Sequence, residues 1–344
     1  MIDGHGNDRY NYGDQVRIDF SSNIAFNNRA TLILHHLAAH LPSVLNYPDP
    51  RATVLSKKIA LHHSVNPENV LLTNGSAEAF YVAAHLLRSE QLRTLILTPS
   101  FAEYEDSCKA FGHRIDKRPL ADFENIDFTP YRSIWIGSPN NPDGQRVPIE
   151  MIKSIAYAHP HCSFLVDRAY NELSASSESY ADSPLPSNLM LCYSLTKAFG
   201  IPGLRIGYIV AESSIIEKMN SLKTPWSVSS LALIAGEYIM DNYAELTMDK
   251  TELIGESLSL QRTISKQKGI HVTPSDCNFF LCKLTNGHTA SELHQYLVEQ
   301  HGILIRNASN FHGLTPYHFR ISVQSKEDNK HLIEALKQWL IIHQ

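Results

Sequence analysis

The sequence predicts an α/β fold: a large domain with a mostly parallel central sheet, followed by a smaller α+β domain at the C-terminal side. Three observations predict it. From about residue 30 to 210, short β-rich apolar runs alternate with helical patterns, the signature of strands joined by crossover helices. After about residue 212 the pattern changes to long helices and then to a more antiparallel-looking mixture. Five of the apolar runs close on polar clusters at their C-terminal ends, where open parallel sheets bind ligands.

Taken in order, residues 1–28 are polar and carry turn residues, so they read as an arm rather than a core. Residues 29–222 read as the large domain and residues 223–344 as the small one. The candidate strands of the large domain are Val70-Leu71-Leu72, Thr94-Leu95-Ile96-Leu97, Ser133-Ile134-Trp135-Ile136, Ser163-Phe164-Leu165-Val166, residues 189–193 and residues 206–210. The stretch 76–87 reads as a helix with Ser76 near its N-cap. Long helices are expected over 213–222 and 228–267. The small domain should then place a strand at 277–282, a helix near 289–301, a strand at 319–323 and a last helix over 326–342.

Composition bounds the function. The 344 residues fit about two domains at roughly 150 residues each. Lys and Arg number 30 against 35 Asp and Glu, a net charge of −5, so no basic field favours nucleic acid or an anionic membrane. No apolar stretch approaches the ~20 residues of a membrane-spanning helix. The first residues lack the charged and apolar regions of a signal peptide, which makes a cytoplasmic protein the expectation. The five cysteines lack CxxC spacing and read as reduced, mostly buried thiols. The 18 histidines include no zinc-type spacing, so no metal site is expected. GxGxxG and P-loop motifs are absent.

The polar clusters are Thr73-Asn74-Gly75-Ser76, Thr98-Pro99-Ser100-Phe101, residues 137–142, Asp167-Arg168-Ala169-Tyr170 and Ser194-Leu195-Thr196-Lys197. They predict one crevice lined by Asn141, Asp167, Tyr170, Ser194 and Lys197. Such a pocket offers an amine, a carboxylate, an amide, hydroxyls and a Gly-Ser helix start suited to a phosphate. That inventory suits pyridoxal phosphate, which needs a lysine for its aldehyde and a carboxylate for its ring nitrogen. Asp167 would keep the pyridine protonated, and Asn141 and Tyr170 would donate to the phenolate oxygen. The amides of Gly75, Ser76 and Ala77, with Ser194, Thr196 and Arg205, would hold the phosphate. Phe101 would stack on the ring face. Arg205 and partial burial should lower the pKa of Lys197.

Several segments carry a resemblance. Residues 194–208, SLTKAFGIPGLRIGY, resemble the lysine segment of fold-type I pyridoxal-phosphate enzymes of the class I/II aminotransferase superfamily. Ser138-Pro139-Asn140-Asn141-Pro142-Asp143-Gly144 is similar to its NNPxG turn, and Asp167-Arg168-Ala169-Tyr170 to its DxAY strand end. Tyr47-Pro48-Asp49-Pro50 resembles its YPD segment, whose tyrosine reaches the phosphate of the other subunit's cofactor, so a homodimer with shared active sites is implied. Within the superfamily, the L-threonine O-phosphate decarboxylases of cobalamin biosynthesis share more features than the histidinol-phosphate aminotransferases do. These features are the His5-Gly6-Asn7 start, residues 19–24, Phe101-Ala102-Glu103-Tyr104, Pro225-Trp226-Ser227-Val228, residues 304–311 and Tyr317-His318-Phe319-Arg320.

The resemblance implies that Lys197 joins the cofactor, that Asp167 and Tyr170 serve the reaction, and that Arg320 binds the substrate carboxylate with Asn23 and Asn141. Arg306, with His5 and Gly6, would receive the phosphate of a small phosphorylated amino acid. Two guanidinium groups suit a ligand with both a carboxylate and a phosphate. The implied reaction is decarboxylation of L-threonine O-3-phosphate to (R)-1-amino-2-propanol O-2-phosphate. Histidinol-phosphate transamination is the alternative. A regulator on the same fold would carry a DNA-binding module, and an inactive relative would have lost Lys197 or Asp167. The relatives usually carry Glu where this chain has Arg168, which strand alternation should turn away from the ring into a surface or interface pair.

Overall fold

The computed structural model describes residues 8–26, 29–176 and 185–343. The chain enters through β1 (Ile18–Asp19), α1 (Ala30–Ala39) and α2 (Thr53–His63). It then alternates β2 (Val70–Thr73), α3 (Gly75–Leu87), β3 (Arg93–Thr98), α4 (Ala102–Ala110), β4 (Ile115–Pro119), β5 (Tyr131–Gly137) and α5 (Ile149–Ala158). The large unit is completed by β6 (Ser163–Asp167), β7 (Leu189–Ser194), α6 (Leu195–Ala198) and β8 (Gly207–Val210).

These strands form a seven-stranded sheet in the order β2-β8-β7-β6-β5-β3-β4. Its pairs are parallel except those made by β8, which runs antiparallel to both β2 and β7. Two antiparallel steps cancel, so β2, β3, β5, β6 and β7 all deliver their C-terminal ends to the same edge. Apolar side chains of both parities are buried, because helices cover both faces. Ile96, Trp135, Leu165 and Met190 pack with residues of α3 and α4. Leu95, Ile134, Phe164 and Leu191 pack with those of α1, α2 and α5.

Beyond β8 come α7 (Ser213–Leu222), α8 (Ser230–Asp241), α9 (Tyr243–Leu246) and α10 (Lys250–Ser265). The single helix expected over 228–267 is therefore three. Asp249 starts the last of them, its side chain accepting from Thr251 N, so the apolar periodicity resumes in a new helix rather than continuing the old one. The chain continues with β9 (Ile270–Val272), β10 (Phe279–Leu284), α11 (Ala290–Tyr296), β11 (Ile303–Leu304), β12 (Arg306–Asn307), β13 (His318–Ser322) and α12 (Lys326–Ile342). Four of these strands form the antiparallel sheet of the smaller domain, in the order β12-β13-β10-β9.

Two details position the site. β1 pairs with β11, Ser322 N donates to Phe20 O, and Ala25 N donates to Lys197 O, so residues 18–25 tie the small domain to the segment carrying Lys197. β4 was not legible as a strand because Asp116, Lys117, Arg118 and Pro119 look like a loop. Among the described residues it pairs only with β3, and an edge strand tolerates charge and proline that a central one does not. No helix among the described residues is long and apolar enough to cross a membrane.

Candidate active site

A cavity of about 570 Å³ opens at the shared strand edge, walled by the large sheet, residues 22–24 and the small domain. Lys197 reaches it from α6, the short helix that β7 feeds directly, and Ser194 caps that helix by accepting from Thr196 N. Burial, then Arg320 and Arg205, press the pKa of Lys197 down to about 8, against the opposing pull of Asp167. An amine so placed is far more often neutral, hence nucleophilic, than a surface lysine.

Asp167 ends β6 and is buried. Burial raises its pKa, while the Tyr104 hydroxyl, the Ala169 amide and Lys197 oppose that shift. Oδ2 accepts from Tyr104 at 2.6 Å and Oδ1 from Ala169 N at 2.9 Å. Tyr170 faces the cavity too, its phenol pushed up to about 12 by burial and its ring edge-on to Phe279. Phe101 lines the wall beside Tyr104, their rings nearly perpendicular at 6.0 Å.

A second cluster forms around the start of α3. Ser76 and Ala77 line the cavity with the first turn of that helix, and Thr196, Ser194 and Arg205 stand opposite. Arg205 adopts a left-handed backbone conformation, φ 55°. Gly75 has φ +70°, and a Cβ there would lie 2.5 Å from Arg205 Nη2. At Gly207 a Cβ would lie 2.8 Å from Ser76 N. Gly75 holds open the approach of the Arg205 guanidinium and Gly207 that of β8 to the first turn of α3, leaving a cradle shaped for a phosphate.

The small domain contributes two buried guanidinium groups. Arg320 donates to Asn141 Oδ1 and to Ser21 O. Burial brings its pKa down to about 10, and burial followed by Arg320 brings that of Arg306 to about 9. Arg306 donates to Asn310 Oδ1 at 2.8 Å and to Asn307 O, and its guanidinium lies 5.3 Å from the Phe311 ring centre. Asn23 is buried nearby, its amide against the Tyr170 hydroxyl without meeting hydrogen-bond geometry. Among the described residues Arg320 Nε is buried without a hydrogen-bond acceptor, and a buried donor so placed calls for one.

The structure thus brings Asn23, Ser76, Ala77, Phe101, Asn141, Asp167, Tyr170, Ser194, Thr196, Lys197, Arg205, Arg306 and Arg320 to one cavity. Gly75 adjoins it through Arg205. Tyr47 does not reach it: it is 85 % exposed, its ring 5.3 Å from that of Trp226. His5 and Gly6 lie outside the described residues. Arg168 corrects the expectation of a surface or interface pair. It does turn away from the cavity, but it is 1 % exposed, donates to Asn171 Oδ1 and stands near His63 of α2. Helices on both faces of the sheet leave no solvent for that side of β6 to meet. Sequence reasoning gave no role to Tyr104, although its place three residues after Phe101, one helical turn along, put it beside a predicted wall residue.

The donor set fits pyridoxal phosphate: an amine poised near neutrality, a buried carboxylate facing it, and a phosphate cradle that a single Cβ would fill. The comparisons agree. The family model for aminotransferase class I and II matches residues 18–336. The chain is 33 % identical over 310 residues to a histidinol-phosphate aminotransferase of Caldanaerobacter subterraneus, covering 86 % of this chain and 84 % of that protein. It is 27 % identical over 343 residues to the threonine-phosphate decarboxylase of Salmonella typhimurium, covering 95 % of this chain and 92 % of that one. Among solved structures, the L-threonine-O-3-phosphate decarboxylase of Porphyromonas gingivalis superposes with a TM-score of 0.90 at 34 % identity, over 94 % of this chain and 99 % of that one. The chain belongs to the aminotransferase class I and II family, whose enzymes depend on pyridoxal phosphate.

Proposed function

We propose that the protein decarboxylates L-threonine O-3-phosphate to (R)-1-amino-2-propanol O-2-phosphate, the step its threonine-phosphate decarboxylase relatives perform in cobalamin biosynthesis. The observation that carries the reading is the pair of buried guanidinium groups in one cavity with Lys197. A substrate bearing a carboxylate and a phosphate on a short carbon chain satisfies both. Bound pyridoxal phosphate supplies an electron sink for the bond broken at Cα.

In this reading Arg320, Asn141 and Asn23 hold the carboxylate, and Arg306 with His5 and Gly6 holds the substrate phosphate. Asp167 would hold the cofactor at its ring nitrogen, Tyr170 and Asn141 at its phenolate oxygen, and Phe101 at its ring face. The first amides of α3, with Ser194, Thr196 and Arg205, take the cofactor phosphate. The carbon–carbon bond breaks, CO₂ leaves, and Lys197 returns a proton to Cα. Which Cα bond breaks is a matter of orientation, set by where the arginines hold the two anionic ends. The same reading divides the chain into an arm (1–28), a cofactor domain (29–222) and a small domain (223–344). It makes the active molecule a cytoplasmic homodimer in which Tyr47 serves the partner's site.

The histidinol-phosphate aminotransferase reading has the 33 % identical relative in its favour. A side-by-side assay separates the two. The decarboxylase releases CO₂ from L-threonine O-phosphate. An enzyme that releases none, and instead converts histidinol phosphate with 2-oxoglutarate, overturns the proposal.

A further inference from the structure

Asp167 occupies a place where a carboxylate is easily lost as an anion, since it is buried at the end of a strand between two layers of side chains. The groups that face it are Tyr104, Lys197, Arg168, Tyr170 and Cys192. Of these, Tyr104 donates a side-chain hydrogen bond to its carboxylate, at 2.6 Å to Oδ2. Tyr104 is itself 2 % exposed and wedged edge-on against Phe80 at 5.0 Å, with Trp135 at 6.0 Å on another side. A Cβ on Gly137 would come 3.3 Å from its hydroxyl, so β5 closes that side as well. The ring has no room to turn the hydroxyl elsewhere.

We propose that Tyr104 is a positioning residue for the reaction: its hydroxyl fixes the Asp167 carboxylate as an anion turned to the cavity, and its ring backs Phe101. The inference rests on the reading that Asp167 meets the cofactor's ring nitrogen. With Tyr104 on Oδ2 and the Ala169 amide on Oδ1, each oxygen keeps a lone pair for that nitrogen. Burial holds Tyr104 protonated, so it acts as a donor throughout the working pH range. An anionic partner keeps positive charge on the ring, and that charge in turn lowers the basicity of the nitrogen that Lys197 contributes.

The test uses the holoenzyme and the visible band of bound pyridoxal phosphate. In Tyr104→Phe the band should titrate at a pH higher by about half to one unit, the scale of a single hydrogen bond to a charged group. With L-threonine O-phosphate, kcat should fall about tenfold, the cost typical of removing an orienting partner, while KM changes by less than about twofold. Adding the change to Asp167→Asn should produce no further shift, since the two act as one unit. Placing 3-fluorotyrosine at position 104 keeps the ring and strengthens the donor, so the band should move the other way; this arm remains informative if the phenylalanine variant folds poorly. A band that titrates at the wild-type pH in both variants overturns the proposal. A wild-type enzyme that forms no band fails the underlying cofactor reading instead.

Discussion

Arg306 and Arg320 sit directly opposite one another on β12 and β13, so two guanidinium groups share one face of a small antiparallel sheet and enter the same cavity. Like charges at such a position repel. Burial lowers the proton affinity of both, and Arg320 lowers that of Arg306 further. In the proposed reading, a cross-strand pair of this kind trades stability for anion binding.

Arg306→Met should therefore separate binding from folding. Loss of one buried guanidinium facing a phosphate costs about 2–3 kcal/mol of binding, a rise in KM of roughly 30- to 150-fold. The cofactor-free variant should melt at or above the wild-type temperature, because the repulsion is relieved. Steady-state kinetics and a thermal melt check both halves. A lower melting temperature with unchanged KM would place Arg306 in a structural role.

Lys197 gives a pH signature to the cofactor-free protein. Its folded pKa of about 8 lies below the value of 10.5 for a free lysine. Between these values the unfolded chain binds more protons than the folded one, so stability rises with pH there. Below about pH 8 the folded protein carries the whole penalty. Lys197→Met should be the more stable protein at pH 7, and the gap should shrink on going to pH 10. Urea titrations at the two pH values measure it, and a gap independent of pH contradicts it.

The phosphate cradle makes an ordered prediction about its glycines. A Cβ at Gly75 meets the end of the Arg205 side chain, which can swing away. At Gly207 it meets Tyr193 O and the backbone of residues 75 and 76, which cannot. Gly75→Ala should fold with a loss of about 1–3 kcal/mol from its positive φ and weaken cofactor binding. Gly207→Ala should lose more stability than Gly75→Ala. Chemical denaturation and titration with pyridoxal phosphate give the order.

Tyr47 is exposed on its own chain and beside Trp226, away from the cavity that chain builds. If it completes the partner's site, Tyr47→Ala and Lys197→Ala should each be nearly inactive alone. Refolding them together in equal amounts should restore about a quarter of wild-type activity, because half the dimers are mixed and each has one whole site. No recovery on mixing would count against the shared site.

The sequence by itself determined which side chains gather at one cavity. Apolar runs that stop at Asn141, Asp167, Tyr170, Ser194 and Lys197 mark strand ends, and strands that run the same way place those ends on one edge. This was legible because strand periodicity and the residues that stop it are local. It also sufficed for α7 and α12, whose bounds match the expected 213–222 and 326–342. It did not suffice for β4, whose charges are read correctly only once it is known to be an edge. Nor did it reveal the breaks between α8, α9 and α10, where periodicity continues across caps. The tertiary structure alone decided that β8 runs against its neighbours, that Arg168 is buried beneath the sheet rather than exposed, that Tyr104 grips Asp167, and that Arg306 faces Arg320. Each of these depends on which distant segment is adjacent and in what register, and register is set by the packing of whole layers rather than by any local run of residues.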